Sequence, residues 1–119
     1  MPNGNQNELE NLVVCYQDAG QDWIKTKLVS DQLEENLKPY LASLMNGLDD
    51  GDKSESKLDR EARGSKQFRD YVRNMVLARM NTARKKVRYE SLGMLWEAKR
   101  SELAMEREKI SKGIYDIGG

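Results

Sequence analysis

The chain has no histidine, and Cys15 is its only cysteine among 119 residues. Without histidine there can be no Ser-His-Asp triad, Cys-His dyad or ordinary zinc site, and one thiol cannot form a disulfide within the chain. No other set of residues offers a nucleophile, a base and an oxyanion donor together. We therefore predict a protein that is not an enzyme, with no catalytic, cofactor-binding or metal-binding residues and no small-molecule substrate.

Long apolar runs and helix breakers are also scarce. No apolar run approaches the roughly 18 residues that are needed to cross a bilayer, so we expect a cytoplasmic protein that has no membrane partner. With two prolines and nine glycines, the chain offers few of the turn signals that separate the short elements of a globule. This composition predicts an all-α protein.

The breakers that are present divide the chain into a few segments. Turn-forming residues occupy the amino terminus, and a cluster rich in Asn, Gly and Asp lies near the middle of the chain. Proline removes a backbone donor, so Pro39 predicts a kink or a new first turn. The predicted organisation is a single helical-hairpin domain over residues 1–119, with a turn at 1–7, helix one at 8–46, an acidic loop at 47–55, helix two at 56–112 and a tail at 113–119.

Both predicted helices carry a seven-residue repeat. In helix one, mostly apolar residues alternate steps of three and four from Leu9 to Leu44, and in helix two a row with seven-residue spacing runs from Phe68 to Ile110. Two such rows joined by a loop predict a long antiparallel, coiled-coil-like hairpin whose second helix is longer than its first. The predicted hairpin core consists of Tyr16, Trp23, Leu37, Phe68, Tyr89 and Trp96.

Helix two has a second apolar stripe. It runs from Val76 to Met105, about half a turn away from the Phe68–Ile110 row. Helix one is expected to run out opposite Met94, and one neighbouring helix cannot cover both stripes. We therefore predict a homodimer; the alternative is a stripe of small residues that stays half exposed. The candidate oligomer or partner surface consists of Met80, Val87, Met94, Ala98 and Met105.

The charges are unevenly distributed although the net charge is zero. Residues 1–59 hold twelve acids and five bases, whereas residues 60–100 hold twelve bases and four acids. Complementary charges of this kind can set the antiparallel register of a hairpin. Alternatively, the basic face of residues 60–100 binds the phosphate backbone of a nucleic acid without sequence preference. The candidate nucleic-acid contacts are Arg73, Arg84, Lys85 and Arg88.

The stretch from Glu61 to Ile110 resembles small helical proteins encoded by tailed bacteriophages. The segments that carry the resemblance are 61–65, 71–72, 76–79, Ala83, 87–89, 96–101 and 104–107. Such proteins tend to be encoded beside recombination and replication genes. The resemblance implies a phage or prophage accessory protein in the cytoplasm of a bacterial host, and it carries no catalytic positions.

Two functions follow from these patterns. The first is a non-enzymatic accessory protein that self-associates through its coiled-coil hairpin and binds an unidentified protein partner. The alternative is a sequence-independent nucleic-acid-binding protein of phage recombination or replication.

Overall fold

A computed structural model describes the backbone of residues 4–118 and the side chains of residues 7–113. Within that part the chain forms four α-helices and no strand. The helices are α1 (Gly4–Glu35), α2 (Leu37–Leu48), α3 (Glu55–Arg63) and α4 (Lys66–Gly118). The prediction of an all-α chain is confirmed, and so is a second long helix that exceeds the first, since α4 has 53 residues and α1 has 32.

The contacts group the chain into two compact units, where the sequence predicted a single domain. Unit 1 combines Met1–Asp22 with Lys85–Gly119, and unit 2 is Trp23–Arg84. In each unit α1 and α4 run in opposite directions, as a helical hairpin requires. In unit 1 this is shown by the contacts of Tyr16 with Tyr89 and of Glu8 with Lys99. In unit 2 it is shown by the hydrogen bond between Tyr71 and Leu33 and by a depression that Thr26 and Ala78 line together.

The buried core is thin and consists mainly of small side chains. In unit 1 the buried hydrophobic residue is Ala19, and in unit 2 Ser30, Leu58, Ala62 and Met75 are buried. None of the large side chains in the described part is fully buried. Small residues let two helices approach closely, and the larger neighbours then cover the contact from either side.

In unit 2 the first predicted helix is broken and restarts before Pro39. α1 ends at Glu35, Asn36 forms a turn, and α2 begins at Leu37. Pro39 therefore lies in the first turn of α2, where its missing N–H costs no intrahelical hydrogen bond. Of the two outcomes predicted for Pro39, the structure therefore has the new first turn, and a continuous helix 8–46 with a kink is not observed.

Tyr71 supports this break from α4. Its hydroxyl donates a hydrogen bond of 2.6 Å to the carbonyl oxygen of Leu33, which belongs to the last turn of α1. Helix ends leave carbonyl groups without intrahelical partners, so a side-chain donor at this position is stabilising. The Tyr71 ring also stacks on Tyr40 of α2, with 4.5 Å between the ring centroids.

The loop between α2 and α3 is ordered by its own side chains. Asp49 and Asp50 each accept a hydrogen bond of 3.0 Å from the backbone N–H two residues ahead. Gly51 has φ of +91°, a conformation that glycine adopts at little cost. Ser54 then caps α3 by accepting a hydrogen bond from the Lys57 N–H at 3.2 Å.

The second predicted helix, 56–112, is not continuous. Gly64 and Ser65 interrupt it between α3 and α4. The Ser65 hydroxyl donates to the Ala62 carbonyl at 2.6 Å and accepts from the Phe68 N–H at 3.2 Å. It thereby bonds the end of one helix and the start of the next, and this explains why the chain breaks at a glycine–serine pair.

The outer ends of the long helices extend further than predicted. α1 already begins at Gly4 rather than near Glu8, and the backbone of α4 continues to Gly118 rather than ending at Lys112. Once a helix has formed, each further residue adds a hydrogen bond, so polar residues such as Asn7 are included. Residues 1–3 of the predicted turn and Gly119 of the predicted tail lie outside the described residues.

The cap at Ser54 can be tested against its neighbour Ser56. The Ser54→Ala variant should lower the free energy of unfolding by about 1 kcal/mol, because the Lys57 N–H loses its acceptor. Ser56 is exposed inside α3, so the Ser56→Ala variant should have little effect or be slightly stabilising. Urea denaturation of both variants measures the difference, and equal losses would argue against the cap.

Candidate interaction surface

The inner contact of unit 1 is built around two tyrosines. The rings of Tyr16 on α1 and Tyr89 on α4 lie 4.9 Å apart between centroids and are tilted by 44°. A hydrogen bond with Tyr89, followed by partial burial, raises the pKa of Tyr16. The Tyr16 hydroxyl therefore stays protonated to a higher pH than the hydroxyl of a free tyrosine.

Each tyrosine packs against a glycine of the opposite helix. A Cβ atom placed on Gly93 would lie 3.0 Å from the Tyr16 hydroxyl oxygen, and one on Gly20 would lie 3.1 Å from Cε2 of Tyr89. Glycine inside a helix costs roughly 1 kcal/mol relative to alanine. The two helical glycines are explained by the tyrosines, because each ring occupies the space that a larger side chain would need. α4 continues as a helix through Gly93.

The same contact continues towards the start of α1. Leu9 and Leu103 border a shallow depression of about 90 Å³ together with Lys99, Glu102 and Glu106. Lys99 lies 3.8 Å from Glu8 and 3.7 Å from Glu102. The expectation that helix one runs out opposite Met94 is therefore wrong, because Glu8 and Leu9, at its predicted start, already lie beside Lys99 and Leu103.

The residues predicted for the hairpin core are divided between the two units, and all are half-buried. Those in unit 1 are Tyr16, Tyr89 and Trp96, and those in unit 2 are Trp23, Leu37 and Phe68. The guanidinium group of Arg63 also lies over the ring of Phe68, 5.8 Å from the ring centroid. In unit 1 we call the half-buried α4 residues Tyr89, Leu92, Trp96, Lys99 and Leu103 the seam.

A second row lies on the opposite side of α4 in unit 1. We call it the outer row, and it consists of Val87, Ser91, Met94, Ala98, Ser101 and Met105. Val87 precedes Tyr89, and Met94 precedes Trp96, by two positions; at about 100° per residue this is more than half a turn. All six residues are exposed.

The outer row is exposed at its large apolar side chains. Val87 is 62% exposed, Met94 69% and Met105 60%. Steps of four and three separate successive members, which is the spacing of a coiled-coil contact. Four of the five residues predicted for an oligomer surface therefore belong to one exposed face of unit 1.

The fifth predicted surface residue, Met80, belongs to unit 2. It is exposed there, together with Val76 and Leu77 of the same helix.

Charged and apolar residues flank the outer row. The first flank consists of Arg88, Leu95 and Glu102. Each of them directly follows an outer-row residue, and all three are exposed. The second flank, on the other side of the outer row, contains Glu90 and Glu97. Glu97 is 3.8 Å from Arg100, and Glu90 is 3.9 Å from Lys86. The first flank therefore has a base at one end and an acid at the other.

The four candidate nucleic-acid contacts have different surroundings. Arg73, Arg84 and Arg88 are exposed, whereas Lys85 is half-buried in the same helical phase as the seam. Within the described residues, no carboxylate lies within 4.0 Å of the charged nitrogens of these four side chains. Arg79, by contrast, forms an ion pair with Glu34 on α1, which is the interhelical pairing that the charge pattern predicts.

Sequence reasoning missed the exposed apolar residues of α1. Val14 in unit 1 and Ile24, Leu28 and Val29 in unit 2 are all exposed. In unit 2, Val29 borders a shallow depression of about 190 Å³ whose other lining residues are Lys25, Thr26, Ala78 and Asn81. Their exposure could have been predicted from the sequence, because these four residues lie outside the seven-residue repeat of helix one.

Other kinds of site find little support in the described part of the chain. Cys15 is exposed and unpaired. Among the described residues, no group of three or more Cys, Asp or Glu side chains could hold a metal ion. Over the same residues, no helix has the length and apolar character to cross a membrane.

No protein-family model, no curated protein and no solved structure matches the chain. The resemblance to bacteriophage proteins therefore stays a prediction.

The packing of tyrosine on glycine can be tested at Gly93. The Gly93→Val variant should lower the free energy of unfolding by about 1–3 kcal/mol more than Gly113→Val, because the new side chain must displace Tyr16. Gly113 is in the same helix and has no atom within 4 Å of an added Cβ, so it controls for helix propensity. Thermal unfolding followed by circular dichroism measures both, and equal losses would contradict the packing.

Proposed function

We propose that this protein is a non-enzymatic helical module that self-associates through the outer row of α4. The observation that carries the proposal is the exposure of Val87, Met94 and Met105 at coiled-coil spacing, on the side of α4 that faces away from the seam. Isolated exposed apolar residues are common on protein surfaces. A row of them with a regular repeat is typical of a contact surface.

The energetics favour covering this row. Burying a valine or methionine side chain contributes roughly 1.5–3 kcal/mol, so three of them on each of two copies supply a substantial part of the free energy of association. The small residues Ser91, Ala98 and Ser101 between them permit close approach of another helix. A second copy is the favoured occupant because the first flank carries both Arg88 and Glu102, so the face offers charges of both signs to a copy of itself.

The assembled protein would present the remaining exposed surfaces to another protein. In this proposal it acts as an accessory protein in the cytoplasm of a bacterial host, and its phage or prophage origin rests on the sequence resemblance of residues 61–110. The exposed apolar residues of α1 described above are available for that partner.

The outer row can be tested by placing charges in it. Wild-type protein should be oligomeric by multi-angle light scattering, and the double variant Val87→Glu with Met94→Glu should be a folded monomer, because buried carboxylates would oppose association. The matched control is Ile110→Glu. Ile110 lies on the same helix and is 64% exposed, but it has the helical phase of the seam. A monomeric wild-type protein at high concentration would refute the proposal.

Nucleic-acid binding is the second candidate, because Arg73 and Arg84 are exposed and no described carboxylate lies within 4.0 Å of them. Exposed basic side chains without acidic partners are suited to contacts with phosphate groups, which do not depend on the sequence of the nucleic acid.

Binding to a labelled DNA duplex tests this candidate. Affinity should fall steeply between about 50 and 200 mM salt, and the double variant Arg73→Glu with Arg84→Glu should bind more weakly than wild type. Arg107→Glu is the control for net charge. If the wild-type protein does not retard DNA at low salt, this candidate is eliminated.

A further inference from the structure

The spacing of the outer row is symmetric, because the steps between its successive residues have the same order from either end of the row. If a second copy is laid on it in the opposite direction, Val87 faces Met105, Ser91 faces Ser101 and Met94 faces Ala98. The seven-residue repeat has two apolar positions, and successive members of the outer row alternate between them. Each of these layers therefore pairs a residue at one apolar position with a residue at the other, as in antiparallel coiled coils. A two-fold axis near the middle of the row relates the two copies.

The first flank distinguishes the two orientations of this contact. In the antiparallel arrangement the flank meets its own copy, so that Arg88 faces Glu102 of the second copy, Glu102 faces Arg88, and Leu95 meets Leu95. All three side chains are exposed in the single chain. The two-fold axis therefore creates two attractive ion pairs on either side of an apolar contact.

The second flank sets the cost of this arrangement. Glu97 would face Glu97 of the second copy, which is one like-charge contact. Each Glu97 lies 3.8 Å from Arg100 of its own chain, and this neighbour reduces the repulsion.

A parallel arrangement is less favourable. It brings the first flank of one copy against the second flank of the other, and Glu102 then faces Glu97 at both edges of the contact. Parallel pairing thus gives two like-charge contacts, and it pairs neither of these glutamates with Arg88. Charge complementarity at the flanks selects orientation in coiled coils.

We propose that two copies associate antiparallel through the outer row, with Arg88 of each copy paired with Glu102 of the other. This inference rests on the proposed function, since it specifies the orientation and the register of the same contact. Glu102 lies 3.7 Å from Lys99 of its own chain, and that exposed ion pair is weak enough to be shared with or replaced by Arg88.

The experiment is a charge exchange between the two residues. The single variants Arg88→Glu and Glu102→Arg should each weaken self-association about tenfold, because each creates two repulsive contacts in place of two attractive ones. An equimolar mixture of the two variants should associate as a heterodimer, since every mixed pair then joins a glutamate with an arginine. The double variant should also regain the wild-type affinity.

Sedimentation equilibrium measures these affinities at low and high salt, with Arg107→Glu as the control that leaves the affinity unchanged. Circular dichroism verifies that each variant keeps its helix content. A tighter dimer for Glu102→Arg would overturn the antiparallel arrangement, because that change relieves the repulsion of the parallel one. A mixture that fails to associate would also overturn it.

The two proposals fail in different ways. If wild type is an oligomer that the Val87 and Met94 substitutions dissociate, but charge exchange has no effect, only the orientation is refuted. If wild type is a monomer, the proposed function fails and the orientation with it.

Discussion

The helices of this protein bury few side chains where they meet, and this constraint governs the rest of the structure. A contact so narrow needs small residues at its centre, which is where Ala19 and Ser30 are buried. In unit 1 it also needs glycines, because Tyr16 and Tyr89 each occupy the space that a Cβ atom would take on the opposite helix. Stability then depends on close approach along the whole contact rather than on a large core.

A thin contact also leaves much of each helix uncovered. A helix that packs against one neighbour buries one stripe, so apolar residues anywhere else on its circumference stay exposed. In unit 1 this applies to the outer row of α4, which has the same three-and-four spacing as the seam but faces away from it. The proposed self-association follows from this geometry, since a second copy can supply the neighbour that a single chain lacks.

Much of the fold could be predicted from periodicity and from Pro39 and the acidic loop, whereas the break between α3 and α4 could not. The seven-residue repeats predicted the paired helices, and the half-buried positions of Tyr16, Tyr89 and Trp96 follow that repeat. The break at Gly64 and Ser65 was missed, because a helix tolerates a glycine followed by a serine. A break at such a pair becomes stable only when the backbone groups at the two new helix ends find hydrogen-bond partners. Ser65 supplies those partners through its hydrogen bonds to Ala62 and Phe68.

The sequence by itself determined the helical class, the two apolar stripes of α4 and the excess of basic residues over positions 60–100, because these can be read from the order and spacing of residues along the chain. Only the tertiary structure decided which stripe is covered. It shows that α1 pairs with the seam as far as Leu103 and that Val87, Met94 and Met105 remain exposed. The reason is physical: periodicity fixes the direction of a side chain around its own helix axis, but burial depends on which neighbour approaches and in what register.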